Sequence, residues 1–187
     1  MDVLKAIETR RAYRSLVPVA VTEDLVKDLA ASARLAPSCF NNQPARFVFV
    51  CNTGKLKEMH QALSGGNRWA QAASLIIAVF SKKEDDCVIR DREYHQFDTG
   101  LSVGFLVLRA TELGLVAHPI AGFSPKKTRA ILGIPEEYQV ITLVVVGKRS
   151  ETLSPVLSED QAGWEKSRPE RKPLSEIAYL NACSSKL

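Results

Sequence analysis

No apolar stretch of this 187-residue chain reaches the ~18 residues that a membrane-crossing helix needs, so no membrane partner is expected. Nor is there a long run of like charge. The 25 basic and 21 acidic residues leave +4, spread along the chain and accompanied by only 7% aromatic residues. That distribution argues against a dedicated nucleic-acid surface. The four cysteines include no CxxC pair, and the three histidines stand in unrelated contexts, so no metal site is expected. Absence of a GxGxxG fingerprint speaks against a dedicated nicotinamide-binding domain. Internal repeats are missing as well. Cys39, Cys51, Cys87 and Cys183 read as unpaired thiols, with Cys51 a small core residue of an apolar run. With no signal peptide recognisable, they predict a reducing, cytoplasmic setting. The Ser185-Lys186-Leu187 tripeptide matches a peroxisomal address, which is a weak signal.

What is present is 45% hydrophobic residues, enough for the core of one domain over residues 1–187. Asp2 caps a short helix through Glu8, and Thr22 with Glu23 and Asp24 starts another that runs to about Leu35, before Pro37. RFVFVC (46–51), LIIAVF (75–80) and VITLVVVG (140–147) have the length and β-branched character of strands. A helix over 54–63 and a turn at Gly65-Gly66-Asn67 separate the first two. Residues 98–113 are apolar all round the helix circumference, which predicts burial on every side, partly by another subunit; Gly114 ends that helix. Ser124-Pro125 opens a helix that Gly133 closes. The mixture, with no regular βαβ alternation, predicts an α+β fold with helices on a small sheet. The Ser/Pro-rich, charged tail after Gly147 has one large apolar anchor, Trp164, and is expected to wrap a neighbour instead of folding on its own chain.

Four segments stand out for chemistry. Arg10, Arg11 and Arg14 concentrate three guanidinium groups within five residues. The APSCFNNQPARF loop holds Ser38, Asn41, Asn42 and Gln43 between Pro37 and Pro44, offering mixed donors and acceptors to a heterocycle. HPIAGF reads as a Pro–Gly turn whose backbone N–H groups could approach a ligand. RPERKPL supplies Arg168, Arg171 and Lys172 near the C-terminus. Two basic clusters at opposite ends of the chain could clamp one phosphate. Taken singly, each segment also reads as solvated charge, a polar loop or a turn.

In order and spacing these segments resemble the nitroreductase-like family of FMN-dependent oxidoreductases over nearly the whole chain. The matching motifs are Arg10-Arg11-Ala12-Tyr13-Arg14, then Pro37, Ser38, Asn41, Gln43 and Pro44, then Pro119–Phe123, then Arg171–Leu174. The resemblance implies a small, mostly antiparallel central sheet flanked by helices in an intertwined homodimer, with 148–187 an arm over the partner. It implies that Arg10, Arg11, Arg171 and Lys172 hold the FMN phosphate, and that Arg14 approaches the pyrimidine edge of the ring. Pro37, Ser38, Asn41, Gln43 and Asn67 would line the ribityl chain and ring, and Pro119, Ile120, Ala121 and Gly122 the opposite edge. The implied activity is ping-pong reduction of electron-poor acceptors, nitroaromatics or quinones, by NAD(P)H; a non-turnover flavin sensor or storage protein is the alternative. Ala12 departs from a common serine and Ala45 from a common tryptophan, which removes one hydroxyl contact and alters contacts near the cofactor. No side chain stands out as an obligatory acid or base, and Tyr13, Tyr94, His95 and His118 read as structural.

Overall fold

The computed structural model describes residues 1–186. Helix α1, Val3–Thr9, begins where the Asp2 carboxylate accepts the Lys5 N–H at 2.8 Å. A two-residue strand β1, Leu16–Val17, precedes α2, Glu23–Arg34, whose first turn carries Glu23 and Asp24 behind the Thr22 cap. Strand β2 is Arg46–Val50, and α3, Thr53–His60, is capped by Asn52. Strand β3, Leu75–Ser81, is followed by a ribbon of β4, Val88–Ile89, and β5, Arg92–Glu93. Then come α4, His95–Glu112; β6, Val116–Ile120; α5, Pro125–Leu132; and β7, Gln139–Arg149. Helices α6, Glu159–Lys166, and α7, Leu174–Ile177, lie in the C-terminal region. Among the described residues no helix is long and apolar enough to cross a membrane.

The sheet is antiparallel throughout. β3 pairs with β2 from Arg46↔Phe80 to Val50↔Ile76, and with β7 from Leu75↔Val146 to Ser81↔Gln139. β6 joins β7 from Val116↔Gly147 to Ile120↔Leu143, and β1 pairs with its end at Lys148 and Arg149. Period-two alternation divides the core between the faces. Ile76, Ala78, Leu143 and Val145 meet Met59 and Trp69 on one face. Leu75, Ile77, Val79, Val144 and Val146 meet Leu29, Leu106 and Ala110 of α2 and α4 on the other. Each such aliphatic side chain, fully buried, contributes about 1.5–3 kcal/mol before the entropy of ordering it.

Several expectations need correction. Pro119 and Ile120 belong to strand β6, not to a turn; proline is tolerated there because an edge strand can spare a ladder hydrogen bond. Gly65-Gly66-Asn67 begins a 3-10 segment, Gly65–Ala72, which changes course at Asn67 and buries Trp69 and Ala70. Helix α4 starts earlier, at His95; its own chain leaves Phe97 63% and Phe105 42% exposed, which leaves room for the expected cover by another subunit. A Cβ on Gly100 or Gly104 would meet no atom within 4 Å, so that side of the helix is open. The tail does fold on its own chain as far as Arg168, through contacts with Glu8, Arg10, Arg14 and Ser15. Its α6 is started by a reciprocal cap between Ser158 and Gln161. Cys39 and Cys87 are joined as a disulfide, because the 82–94 excursion returns to the 38–43 loop, and Cys51 is exposed instead of buried in the core. The inference of a reducing compartment from four free thiols therefore loses two of them. Leu187, the last residue of the Ser-Lys-Leu tripeptide, lies outside the described residues.

Candidate functional site: a guanidinium pocket closed by the C-terminal region

Residues 10–15 leave α1 without regular structure, so backbone and side chains are both available for long-range bonds. Arg10, Arg11, Arg14, Arg168 and Arg171 line a cavity of about 180 Å³, with Ala12, Trp164 and Pro169 between them. The two basic stretches clasp each other reciprocally. Arg11 donates to the carbonyls of Trp164 (2.7 Å) and Ser167 (2.9 Å), and Arg168 donates to those of Glu8 (2.5 Å) and Arg10 (2.6 Å). Glu165 is buried beside them and accepts the N–H groups of Arg14 (2.7 Å) and Ser15 (3.3 Å). The Arg14 guanidinium lies 5.2 Å over the Trp164 ring and 6.0 Å over that of Trp69.

Electrostatics mark what the cavity lacks. Burial holds the Arg10 guanidinium below its ordinary range, and repulsion by Arg168, Arg171 and Arg11 lowers it further. Arg14 is lowered by burial as well, with Glu165 opposing the shift. Glu165 spends its oxygens on backbone N–H groups and faces Arg14, leaving Arg10 among like charges. A multiply charged anion would relieve that repulsion.

Behind the arginines a polar relay runs along the same sheet face. His118 of β6 is 8% exposed, stacks on Trp69 at 4.7 Å, and has Nδ1 3.2 Å from the Tyr13 carbonyl. A carbonyl only accepts, so Nδ1 carries the proton and Nε2 is left as an acceptor. Burial lowers the His118 pKa to about 4, opposed by the Tyr13 bond and assisted by Arg14 and Arg10. Trp69 Nε1 donates to Asn67 Oδ1 (3.1 Å), and Asn67 Nδ2 donates to the Gly122 carbonyl (2.8 Å). Gly122 leaves room for these two side chains, since a Cβ would fall 2.5 Å from both Asn67 Nδ2 and Ser64 Oγ and would have to displace them. The sequence-expected pair Asn67 and Gly122 is thus brought together, beyond the Pro119–Ile120 strand end.

Pro37, Ser38, Asn41 and Gln43 fall elsewhere. Their loop follows α2 on the sheet face opposite the arginines, where Ser38 and Gln43 border a cavity of about 320 Å³ with Ala33, Phe47, Phe49 and Ser102. Phe40, Asn41 and Gln43 have φ of 47°, 58° and 51°, the left-handed region that side chains disfavour. The loop is held by Gln43 N–H on Ser38 Oγ (2.9 Å) and Cys39 N–H on Asp98 Oδ2 (2.7 Å). Within one chain the expected residues therefore form two groups separated by the sheet. Lys172 joins neither: it lies 3.8 Å from Glu176 with its side chain 74% exposed. Its expected place in the basic cluster is taken by Arg168. Arg168 belongs to the C-terminal basic cluster expected from the sequence although the family motifs carry no role for it, Trp164 was expected only as an apolar anchor of the tail, and Glu165 left no signal.

The Nitroreductase family profile matches residues 7–73 and 58–148. A protein of Thermus thermophilus named NADH dehydrogenase is 25% identical over 182 residues, covering 81% of this chain and 88% of its own. MhqN of Bacillus subtilis, whose name places it among NAD(P)H nitroreductases, is 24% identical over 92% of this chain and 96% of its own. A crystal structure described as an oxidoreductase containing FMN superimposes with a TM-score of 0.84 at 25% identity, covering 100% of this chain and 94% of that one. A nitroreductase family protein of Clostridium difficile gives a TM-score of 0.79 at 23% identity over 97% and 99% of the two chains. The profile runs from beside the first arginines to the end of the long strand that carries the sheet, and the fold agrees over the full length; the chain belongs to the nitroreductase family.

Proposed function

We propose that this chain is an FMN-dependent oxidoreductase that takes electrons from NAD(P)H and passes them to small electron-poor acceptors, nitroaromatics or quinones, in ping-pong order. The observation that carries the reading is the Arg10 guanidinium, desolvated and ringed by Arg11, Arg168 and Arg171 in a chain of this family. A phosphate monoester suits that cavity, and each charge-assisted bond there would contribute about 1.5–3 kcal/mol.

When bound, FMN supplies the redox chemistry by accepting a hydride equivalent and releasing electrons to the acceptor. The protein's own part is to bind, orient and bias. Arg10, Arg11 and Arg171 hold the phosphate, with Arg168 in the place expected of Lys172. Arg14 sets a positive charge toward the pyrimidine edge, where reduction adds negative charge. Asn67 and the Ala121–Gly122 backbone border the ring, and His118 stays neutral behind them. Ser38, Asn41 and Gln43 reach the same site from a second copy of the chain, since the sheet separates them from the arginines within one. The homodimer covers Phe97, Phe105 and the open side of α4 that carries Gly100 and Gly104.

Stopped-flow mixing of the purified yellow protein with NADH and with NADPH tests the reading. The flavin should bleach without any acceptor and recover its colour when a quinone or nitroaromatic is added. Bound flavin that neither nucleotide reduces would instead make the chain a flavin sensor or storage protein.

A further inference from the structure

Cys39 and Cys87 stand 48 residues apart in sequence, yet their Cα atoms are 6.1 Å apart and their sulfurs are bonded. The bond ties the 37–43 loop to the excursion between β3 and α4, the two least regular stretches on that side of the sheet. We propose that Cys39 and Cys87 form a reversible thiol–disulfide site whose redox state sets the conformation of the 37–43 loop. The inference rests on the function proposed above only in that this loop would border the active site; its chemistry stands without a flavin.

Three observations carry it. The first is strain confined to the loop the bond secures. Phe40, Asn41 and Gln43, none of them glycine, are held at positive φ directly after Cys39. Such conformations persist where neighbouring contacts enforce them, and the sulfur bridge is the covalent one among them, beside hydrogen bonds such as Gln43 N–H on Ser38 Oγ and Cys39 N–H on Asp98. The second is reach. Cys39 is half-buried, Phe40 beside it is 86% exposed, and Val88 and Ile89 next to Cys87 are exposed too, so a small thiol can approach from the Cys39 side while Cys87 is 9% exposed. The third is what the site offers the reduced pair. A carboxylate oxygen of Asp86 lies within 4.8 Å of both sulfurs. Asp86 Oδ1 accepts the Cys87 N–H at 2.8 Å, whereas Oδ2 is buried and has no partner. A thiol formed there would lie beside a carboxylate that has acceptor capacity to spare, shared with the neighbouring Asp98 carboxyl, whose pKa is raised by burial first and by Asp86 as well.

The reaction partner is a low-molecular-weight thiol, RSH. Its thiolate attacks the Cys39 sulfur, the sulfur–sulfur bond breaks, and Cys87 leaves as a thiolate that takes up the proton lost by RSH. A second RSH attacks the R-group sulfur of the mixed disulfide and releases Cys39 as a thiol. The net change is two RSH consumed, one RSSR formed and two protein thiols gained, a transfer of two electrons and two protons. Ser38 and Gln43 flank the bridge and border the 320 Å³ cavity, so loosening the loop reshapes that cavity.

The experiment alkylates the folded full-length protein with iodoacetamide, before and after incubation with glutathione and again after reoxidation with glutathione disulfide, and follows amide exchange at residues 38–43. Cys51 and Cys183, both exposed, label throughout and serve as internal controls. Before reduction only those two should label; after it Cys39 and Cys87 should label too, exchange at 39–43 should rise at least tenfold, and reoxidation should reverse both changes. The Cys39→Ser variant should show the fast exchange with no reductant. Reduction that requires denaturant would make the bond purely structural and overturn the proposal. So would thiols at 39 and 87 in untreated protein that glutathione disulfide cannot join, or a loop whose exchange ignores the redox state. None of these readouts uses flavin turnover, so their failure leaves the oxidoreductase reading untouched, and a colourless protein would leave the thiol result standing.

Discussion

Replacing His118 by glutamine keeps a hydrogen-bond donor for the Tyr13 carbonyl but deletes a titration, and the consequence is measurable as a slope. The imidazole titrates near 6.5 in the unfolded chain and at about 4 in the folded one, because burial penalises its charged form. Between those values the unfolded state binds the extra proton and the folded state does not. Stability from this group is therefore fully present above pH 6.5, declines as pH falls below it, and is lost by pH 4. At about 1.4 kcal/mol per pH unit, the wild type should lose about 2.5 kcal/mol between pH 7 and pH 4.5 through this residue alone. Other carboxylates and histidines titrate in the same window, so the quantity to read is the difference between wild type and His118→Gln in urea unfolding at each pH. At pH 7 the variant should be the less stable, having lost the stacked contact with Trp69 at 4.7 Å. Toward pH 4.5 the gap should narrow by about 2.5 kcal/mol. Curves that stay parallel over that range would mean that burial does not lower the His118 pKa, which would refute the desolvated, pH-independent neutrality assigned to it behind the arginines.

Arg10→Glu should weaken FMN binding roughly 10- to 150-fold, the equivalent of one charge-assisted bond, while Lys172→Glu leaves the bound-flavin absorbance unchanged; equal losses in both would spread the phosphate contact beyond the cavity. Arg14→Gln should retain FMN yet lower its two-electron potential, by about 30 mV for every ~1.4 kcal/mol of lost charge stabilisation, in a potentiometric titration. Gly122→Ala must push Asn67 and Ser64 away from positions 2.5 Å from the new methyl. It should cost about 1–3 kcal/mol in urea unfolding, and an unchanged midpoint would show that the turn yields freely.

What could be read from the residues alone was local. Asp2, Thr22 and Ser124 announced their helices because a capping oxygen acts on N–H groups two or three residues away. The strands at 75–81 and 139–149 were evident because a strand covered on both faces needs apolar residues at nearly every position. Strand β6 was hidden by Pro119, which reads as a turn until one knows that the strand lies at an edge. The docking of α6 was hidden for another reason: Arg11 and Arg168 bond to backbone carbonyls, which every residue carries and no residue type advertises. The Cys39–Cys87 bond gave no signal either, since a separation of 48 matches no motif spacing. Of the site, the residue types in the arginine and Asn67–Gly122 groups were legible from the family motifs. Their division by the sheet from Ser38 and Gln43 was not, because opposite faces of one sheet look alike in a linear pattern.

The reciprocal clasp between residues 8–14 and 164–168 also fixes when the anion site can exist during synthesis. Its hydrogen bonds span 151–160 residues, among the longest separations the chain contains. The sheet's β3–β7 pairing joins segments far closer in sequence and contributes to the apolar core on both faces of the sheet. Contacts of such long range carry the largest loop-closure cost, and they are affordable only once the intervening chain is already compact. A nascent chain that has reached β7 holds its core while Arg10 and Arg14 still lie open to solvent. On this reasoning the arginine cavity is completed only when the C-terminal region arrives, so an anion at the exposed arginines would be enclosed by that region instead of having to enter a finished pocket.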